Sequence, residues 1–172
     1  MVRGAHRKAY TLIEVLIVVT LLGIASAVVI PSIGSSDALK IQSAVRAIVA
    51  DINAAQSDAL ATQRGRAIVF DTANNKYQII EVNGAVLDPV NDLIREVRLV
   101  QGTNGLTGTI AAADFGGTNT LVFDELGGPV TGPGSSTPSA GGTITLSGFG
   151  STFVLTVEAY TGRATVQRTA GP

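Results

Sequence analysis

The sequence contains no cysteine, no tryptophan and one histidine in 172 residues, and only 15% of it is charged. Without cysteine there is no disulfide framework, no thiolate nucleophile and no cysteine-ligated zinc or iron–sulfur site. The single histidine, His6, precedes any segment that could pack into a core. That placement argues against histidine acid–base catalysis and against a multi-histidine metal site. No Gly-x-x-x-x-Gly-Lys-Ser/Thr phosphate loop is present, and the acids Asp88, Asp92, Asp124 and Glu125 lack the spacing of an EF-hand calcium loop. We therefore expect no catalytic residue, no metal and no cofactor, which leaves scaffolding or binding. A typical domain is about a quarter charged. With a lower charge content and a mean hydropathy of +0.36, the apolar residues must be concentrated somewhere.

They are at the front. Residues 1–9 carry Arg3, Arg7 and Lys8 with no acid, and from Tyr10 to Ile33 the chain is apolar with one charge, Glu14. About 20 helical residues cross a bilayer core of about 30 Å, so this stretch is long enough to span one. The flanking cations then keep the N-terminus cytoplasmic and send the remainder outward. A cleaved secretory signal competes with this reading, because Ala25-Ser26-Ala27 could serve as its cleavage site. Against it, the apolar run continues through Val28, Val29 and Ile30, and a carboxylate stands near its start. Glu14 inside a membrane is costly and calls for a partner charge, unless it lies in the headgroup region. Pro31 lacks an amide hydrogen and is followed by Gly34-Ser35-Ser36. It either kinks one long rod or ends the first helix, with Ser36 or Asp37 capping a second.

The run Ala9-Tyr10-Thr11-Leu12-Ile13-Glu14-Val15 resembles the prepilin signature of type IV pilins and type II secretion pseudopilins. The resemblance implies that a prepilin peptidase cuts between Ala9 and Tyr10 and N-methylates Tyr10, leaving the apolar helix in place. Ala9 stands where glycine is usual and Tyr10 where phenylalanine is usual, and Pro31 matches a proline characteristic of the pilin helix. Cleavage would create an α-amino group at Tyr10, one helical turn from Glu14. Pairing with that amine, or with a neighbouring subunit's, would make Glu14 a registration device for a filament.

From Asp37 to about Arg64 the pattern is helical, with Ile41, Val45, Ile48, Ile52, Ala55 and Ala59 forming one apolar stripe. Lys40, Arg46, Asp51, Gln56, Asp58 and Gln63 mostly take the other faces. After Gly65 the composition turns to valine, isoleucine, threonine, phenylalanine and glycine, which predicts strands. The expected strands are 67–71, 76–82, 94–100, 120–124, 142–146, 152–158 and 163–167. Asn74-Asn75 and Asn83-Gly84 read as turns, and Thr161-Gly162 as a two-residue hairpin connection. Residues 127–142 hold six glycines, three prolines and no charge, and are expected to form a flexible surface flap or contact loop. Gln101 to Thr109 reads similarly.

Residues 54–70 and 120–167 are similar to the GspH/FimT branch of pseudopilins and minor pilins, although Gln56 stands where that branch often has arginine. The expected fold is thus α+β: a long N-terminal helix, membrane-spanning in its first half and amphipathic in its second, packed on a C-terminal antiparallel β-domain. The expected divisions are a cleaved leader 1–9, a membrane and filament-core half 10–33, an amphipathic half 34–65 and a periplasmic β-domain 66–172. The resemblance implies a minor pseudopilin of a type II secretion system, held in the bacterial inner membrane before assembly into a periplasmic filament. Its partners would be the prepilin peptidase, other pseudopilins, the inner-membrane assembly platform and lipid. The alternatives are a minor pilin of a type IV pilus, with a link to DNA uptake, and a membrane-anchored periplasmic binding module that never polymerises. Nucleic acid is disfavoured, since loss of the leader leaves nine basic against thirteen acidic residues, a net of −4.

Overall fold

The computed structural model describes residues 10–29, 35–100 and 106–170. The chain divides into two compact units, Met1–Ser36 and Asp37–Pro172. Ala9 and Pro31 lie outside the described residues, as does the break expected at Pro31. Two helices are described on its either side: α1, Leu12–Val29, and α2, Ser35–Thr62.

In α1, seven of the first eight residues are large and apolar, so its apolar surface runs around the whole circumference rather than along one stripe. Its hydroxyl side chains turn inward onto the backbone. Thr20 Oγ1 is shared between the carbonyls of Leu16 and Ile17, and Ser26 Oγ donates to Leu22 C=O at 2.7 Å. Such back-bonding satisfies each hydroxyl within the helix, without water. The 18 described residues of α1 measure about 27 Å, and among the described residues no helix is long and apolar enough to cross a membrane.

The second unit is built on α2. Ile41, Ala44, Val45, Ile48, Ile52, Ala55 and Ala59 are buried in one core, as the stripe predicts. Truncating such a side chain, Ile48→Ala for example, would cost about 2–5 kcal/mol. The core is closed by two antiparallel sheets. The first contains β1 (Arg66–Asp71), β2 (Lys76–Glu81), β3 (Leu93–Arg98), β5 (Thr120–Phe123) and β6 (Pro129–Val130), in the order β3-β2-β1-β5-β6. The second contains β4 (Thr109–Asp114), β7 (Gly142–Gly148), β8 (Ser151–Val157) and β9 (Ala164–Ala170), in the order β4-β7-β8-β9. The expected α+β architecture, a helix packed on an antiparallel β-domain, is the one observed.

Alternation along β1 explains why it is buried on both sides. Ile68 and Phe70 face the main core, whereas Ala67 belongs to a second cluster with Val122 and Val130, covered in part by Val82 and Leu87. The β2–β3 connection, residues 82–92, supplies that cover. Asn83-Gly84 lies inside it and does not form a two-residue hairpin turn. The β8–β9 connection also differs from expectation. It spans residues 158–163, with Tyr160 and Gly162 at positive φ and Glu158 N–H donating to Arg163 C=O. Asn74-Asn75 does close a turn, braced by Asp71, whose carboxylate accepts from the Asn74 amide hydrogen and side chain.

Two strands were not expected. β4 follows the Gly/Thr-rich passage, whose residues 101–105 lie outside the described part, and its Thr-Ile-Ala-Ala-Ala-Asp sequence carries no strand alternation. β6 falls within 127–142, where composition suggested no regular structure. Val130 enters the second apolar cluster, Thr131 N–H donates to Thr137 C=O, and Ser139 N–H donates to Pro129 C=O. One buried valine is enough to anchor this polar segment against β5.

Candidate functional site

Tyr10 precedes α1 and is 80% exposed, and Leu12 is 85% exposed. The first turn of α1 explains part of the Thr-Leu-Ile-Glu run. Thr11 acts as the N-cap, its Oγ1 accepting the Glu14 amide hydrogen at 3.3 Å while its carbonyl accepts the same hydrogen at 3.1 Å. Glu14 therefore occupies the third helical position of a Thr-x-x-Glu capping pattern, where a carboxylate also faces the positive end of the helix dipole. Its side chain is exposed on the first turn. Sequence reasoning assigned Glu14 an assembly role and missed this capping position, although the spacing from Thr11 was there to be read.

The β-domain holds three polar junctions that join α2 to the strands or to the turns between them. At the first, the buried Asp51 accepts a 2.6 Å hydrogen bond from Tyr77 Oη on β2 and a 2.8 Å bond from Arg95 on β3. Burial, the Asp51 hydrogen bond and the Asp51 charge all push the Tyr77 phenol well above its ordinary pKa. Asp51 was expected on an outer face of the helix; it is instead buried and paired. At the second, the guanidinium of the buried Arg66 donates to Asp58 at 2.6 Å, to the carbonyls of Arg64 and Gly65 and to Thr62 Oγ1. It thereby closes the C-terminal end of α2, where cations are favoured.

The third junction is made by Gln56. Its Nε2 donates to Gly127 C=O at 2.7 Å and to Thr161 C=O at 2.8 Å, so both amide hydrogens are used and two separate turns are tied to one helix position. Gly127 and Gly162 crowd this junction: a Cβ on Gly127 would meet the Leu60 side chain, and one on Gly162 would meet Phe123 and Gln56. Both have positive φ, so glycine is required on two counts.

Two of the four acids named above, Asp88 and Asp124, brace turns. Asp88 accepts from the amides of Val90 and Asn91 and from the Asn91 side chain, which holds its pKa below the usual carboxylate value. Asp124 Oδ1 accepts from the amides of Leu126 and Gly128. Asp124 and Glu125 border an open groove of about 380 Å³ that also touches Val82, Gly84, Val130 and Ser135.

No curated protein matches the chain. Among solved structures, one similar chain is the type IV minor pilin FimU of Pseudomonas aeruginosa (strain PAO1). It is 19% identical, with a TM-score of 0.48, and the alignment covers 76% of this chain and 92% of that one. Residues 4–30 match the prokaryotic N-terminal methylation motif, the segment that contains Ala9, Tyr10 and Glu14. Residues 44–166, which include α2 from Ala44, strands β1 to β8 and the start of β9, match the family described as type II transport protein GspH. The chain therefore belongs to the GspH family of type II transport proteins, the pilin-like branch that its sequence resembles.

Proposed function

We propose that this chain is a minor structural subunit of a type II secretion pseudopilus. In this reading a prepilin peptidase removes residues 1–9 on the cytoplasmic side and methylates the new N-terminus at Tyr10. The apolar segment 10–33 is stored in the inner membrane and then becomes part of the filament core. The observation that carries the proposal is the succession in one chain of an N-terminal methylation motif over residues 4–30 and a GspH match over residues 44–166.

Physical chemistry supports the same order of events. A helix apolar on every side gains nothing from staying in water, and its hydroxyls are already satisfied internally. Glu14 is the exception along its length. A carboxylate carried into an apolar filament core costs several kcal/mol unless a positive group meets it. The α-amino group of a processed Tyr10, on the same or the next subunit, is the group that meets it. The axial position of the subunit is set where the two charges coincide.

Mass spectrometry of the membrane-extracted protein tests the proposal. The expected mature form begins at an N-methylated Tyr10. An intact Met1 start in cells with an active prepilin peptidase would refute it. Recovery of the mature chain from a surface pilus, and not from the secretion apparatus, would place it in a type IV pilus instead.

A further inference from the structure

The sequence holds two Asn-Gly pairs, Asn83-Gly84 and Asn104-Gly105, and the second lies outside the described residues. The side-chain amide carbon of an asparagine is open to attack by the main-chain nitrogen of the next residue, and a glycine there puts no side chain in the way. Gly84 sits at φ 115, a Cβ on it would meet open space, and among the described residues nothing accepts its amide hydrogen. The attacking nitrogen is thus neither shielded nor held. Asn53, Asn74, Asn75, Asn91 and Asn119 are each followed by a residue that bears a side chain, which hinders the same ring closure.

Asn83 also holds the β2–β3 connection closed. Its Nδ2 donates to Asp92 Oδ1 at 2.7 Å, beside a 2.9 Å main-chain bond from Glu81 N–H to Asp92 C=O. The segment clasped between them carries Val82 and Leu87, which pack on the buried Ala67, Val122 and Val130. Among the described residues no cation forms an ion pair with Asp92, so the Asn83 amide is the side-chain donor that its carboxylate meets. Exchanging that amide for a carboxylate turns a charge-assisted hydrogen bond into two like charges in contact. The main chain is tight here as well, since a Cβ on Gly134 would meet the Gly84 carbonyl oxygen at 3.3 Å. Lengthening the chain at residue 83 therefore pushes Gly84 against a neighbour.

We propose that Asn83 is a self-modifying site, whose conversion to aspartate or isoaspartate unlatches residues 82–92 from the second apolar cluster. The Gly84 nitrogen bonds to Asn83 Cγ, the Cγ–Nδ2 bond breaks, and the leaving amide nitrogen takes the Gly84 proton and departs as ammonia. Water then opens the five-membered imide at either carbonyl. One opening gives aspartate; the other gives isoaspartate, with the main chain running through Cβ and Cγ and longer by one methylene. Both products carry a new negative charge beside Asp92. The cover supplied by Val82 and Leu87 is released, and the groove bordered by Asp124 and Glu125 loosens on its Val82 and Gly84 side. The inference goes beyond the role in a pseudopilus and does not depend on processing at Ala9.

The test incubates the full chain in detergent micelles for days at neutral pH and maps it by peptide mass spectrometry, with Asn83 and Asn104 scored separately. Asn83 is expected to gain the mass difference between NH and O, with isoaspartate in excess of aspartate, while Asn74, Asn75, Asn91 and Asn119 keep their mass. Asn83→Gln retains a donor and needs a six-membered ring to react, so it should stay unmodified. Hydrogen exchange reads the consequence. In the aged acidic fraction, separated by anion exchange and mapped to Asn83, the amides of Glu81 and Asp92 should exchange at least about tenfold faster, as expected for loss of a hydrogen bond to a charged group. Asn83→Asp should do the same without ageing. Adding Asp92→Asn to Asn83→Asp restores a donor and an acceptor and should return exchange close to the parent rate. Three results would each overturn the proposal: an Asn83 that keeps its mass in the folded chain while the urea-unfolded chain converts, parent-like exchange in the aged fraction, or failure of Asp92→Asn to rescue Asn83→Asp.

Discussion

Asn75 Oδ1 accepts the Ile110 amide hydrogen at 2.8 Å, so a turn of one sheet holds the first strand of the other. The same side chain donates from Nδ2 to Leu99 C=O and to Gly108 C=O, both at 2.7 Å. Its two donors and its acceptor are all engaged, across separations of 24 to 35 residues. Asn75 also sits at φ 52, a region that asparagine tolerates and most residues do not. Backbone conformation and side-chain chemistry thus select the same residue.

Asn75→Gly keeps the backbone conformation and deletes the three bonds. We expect a loss of about 2 kcal/mol, the net value of a few part-buried hydrogen bonds, read as a lower urea midpoint for the full chain. Asn75→Asp is expected to be worse, because it aims a carboxylate at two carbonyl oxygens. A glycine variant within about 0.5 kcal/mol of the parent, the usual range for neutral surface changes, would show that the junction contributes little.

The Asp51–Tyr77 bond gives a pH-dependent prediction. The phenol is protonated in the fold with a pKa raised above the ordinary 10.0. A raised folded-state pKa contributes stability that is complete below the unfolded value and is lost as pH rises past it. Stability should therefore fall from about pH 10 upward, since the unfolded chain releases this proton more readily. Tyr77→Phe should lower stability at neutral pH, by about 1–3 kcal/mol for stranding part of a buried carboxylate's hydrogen bonding, and should flatten the alkaline decline. If the alkaline slope is the same with phenylalanine, another group causes it.

Much of this fold was legible from periodicity. The stripe Ile41, Val45, Ile48, Ile52, Ala55, Ala59 is the buried face of α2, and strands 67–71, 76–82 and 152–158 fall within a residue of their places. Strands with alternating, β-branched sequence declare themselves, because one face is buried and the other is not. β4 does not, since its consecutive alanines favour helix and its position is fixed by Asn75 and by pairing with β7. Long-range polar junctions were illegible for a related reason. Asp51 binds partners 26 and 44 residues away and Gln56 binds partners 71 and 105 residues away, and no local pattern marks such distances. Asp51 was assigned to an outer face because a charge beside an apolar stripe is usually solvated; two donors at fixed positions reverse that. Of the residues proposed for processing (Ala9, Tyr10), filament assembly (Glu14) and a helix kink (Pro31), all read from the motif's resemblance, Ala9 and Pro31 lie outside the described residues.

Glu96 contributes to the acid limb. Lys76 Nζ and Arg98 Nε each donate to it at 2.8 Å and Gln78 Nε2 at 2.9 Å, and the two cations lower its pKa to about 2. A depressed folded-state pKa contributes stability that is present above the unfolded value, 4.5, and is lost as pH falls toward about 2. Glu96→Gln should reduce the slope of stability against pH within that window and leave the slope above it unchanged. Added salt should diminish the effect, because the cluster is near the surface. An unaltered slope between the two values would mean that the β2–β3 ion pairs do not form in solution.

At Gln56 the prediction is local. Gln56→Ala should release the turns at Gly127 and Thr161 together, seen as faster hydrogen exchange in residues 124–128 and 158–163, for a global cost of about 1–2 kcal/mol. Gln56→Arg should be tolerated, since a guanidinium can also donate to two carbonyls. Faster exchange in only one of the two turns would argue that they are held independently.

Thr11 and Glu14 separate a capping role from a charge role. Thr11 Oγ1 and the Glu14 amide form the cap, and a side-chain amide at position 14 serves a capping box as well as a carboxylate does. Glu14→Gln therefore preserves the start of α1 and deletes the charge. If the charge meets the α-amino group of a processed Tyr10, this variant should be cleaved and methylated normally yet be recovered in assembled filaments at a small fraction of the parent level. Thr11→Ala removes the cap, worth about 1 kcal/mol, and keeps the charge, so it should fray the first turn and reduce assembly far less. Filament recovery that follows the cap, with Glu14→Gln assembling like the parent and Thr11→Ala failing, would remove charge pairing as the reason that Glu14 is there.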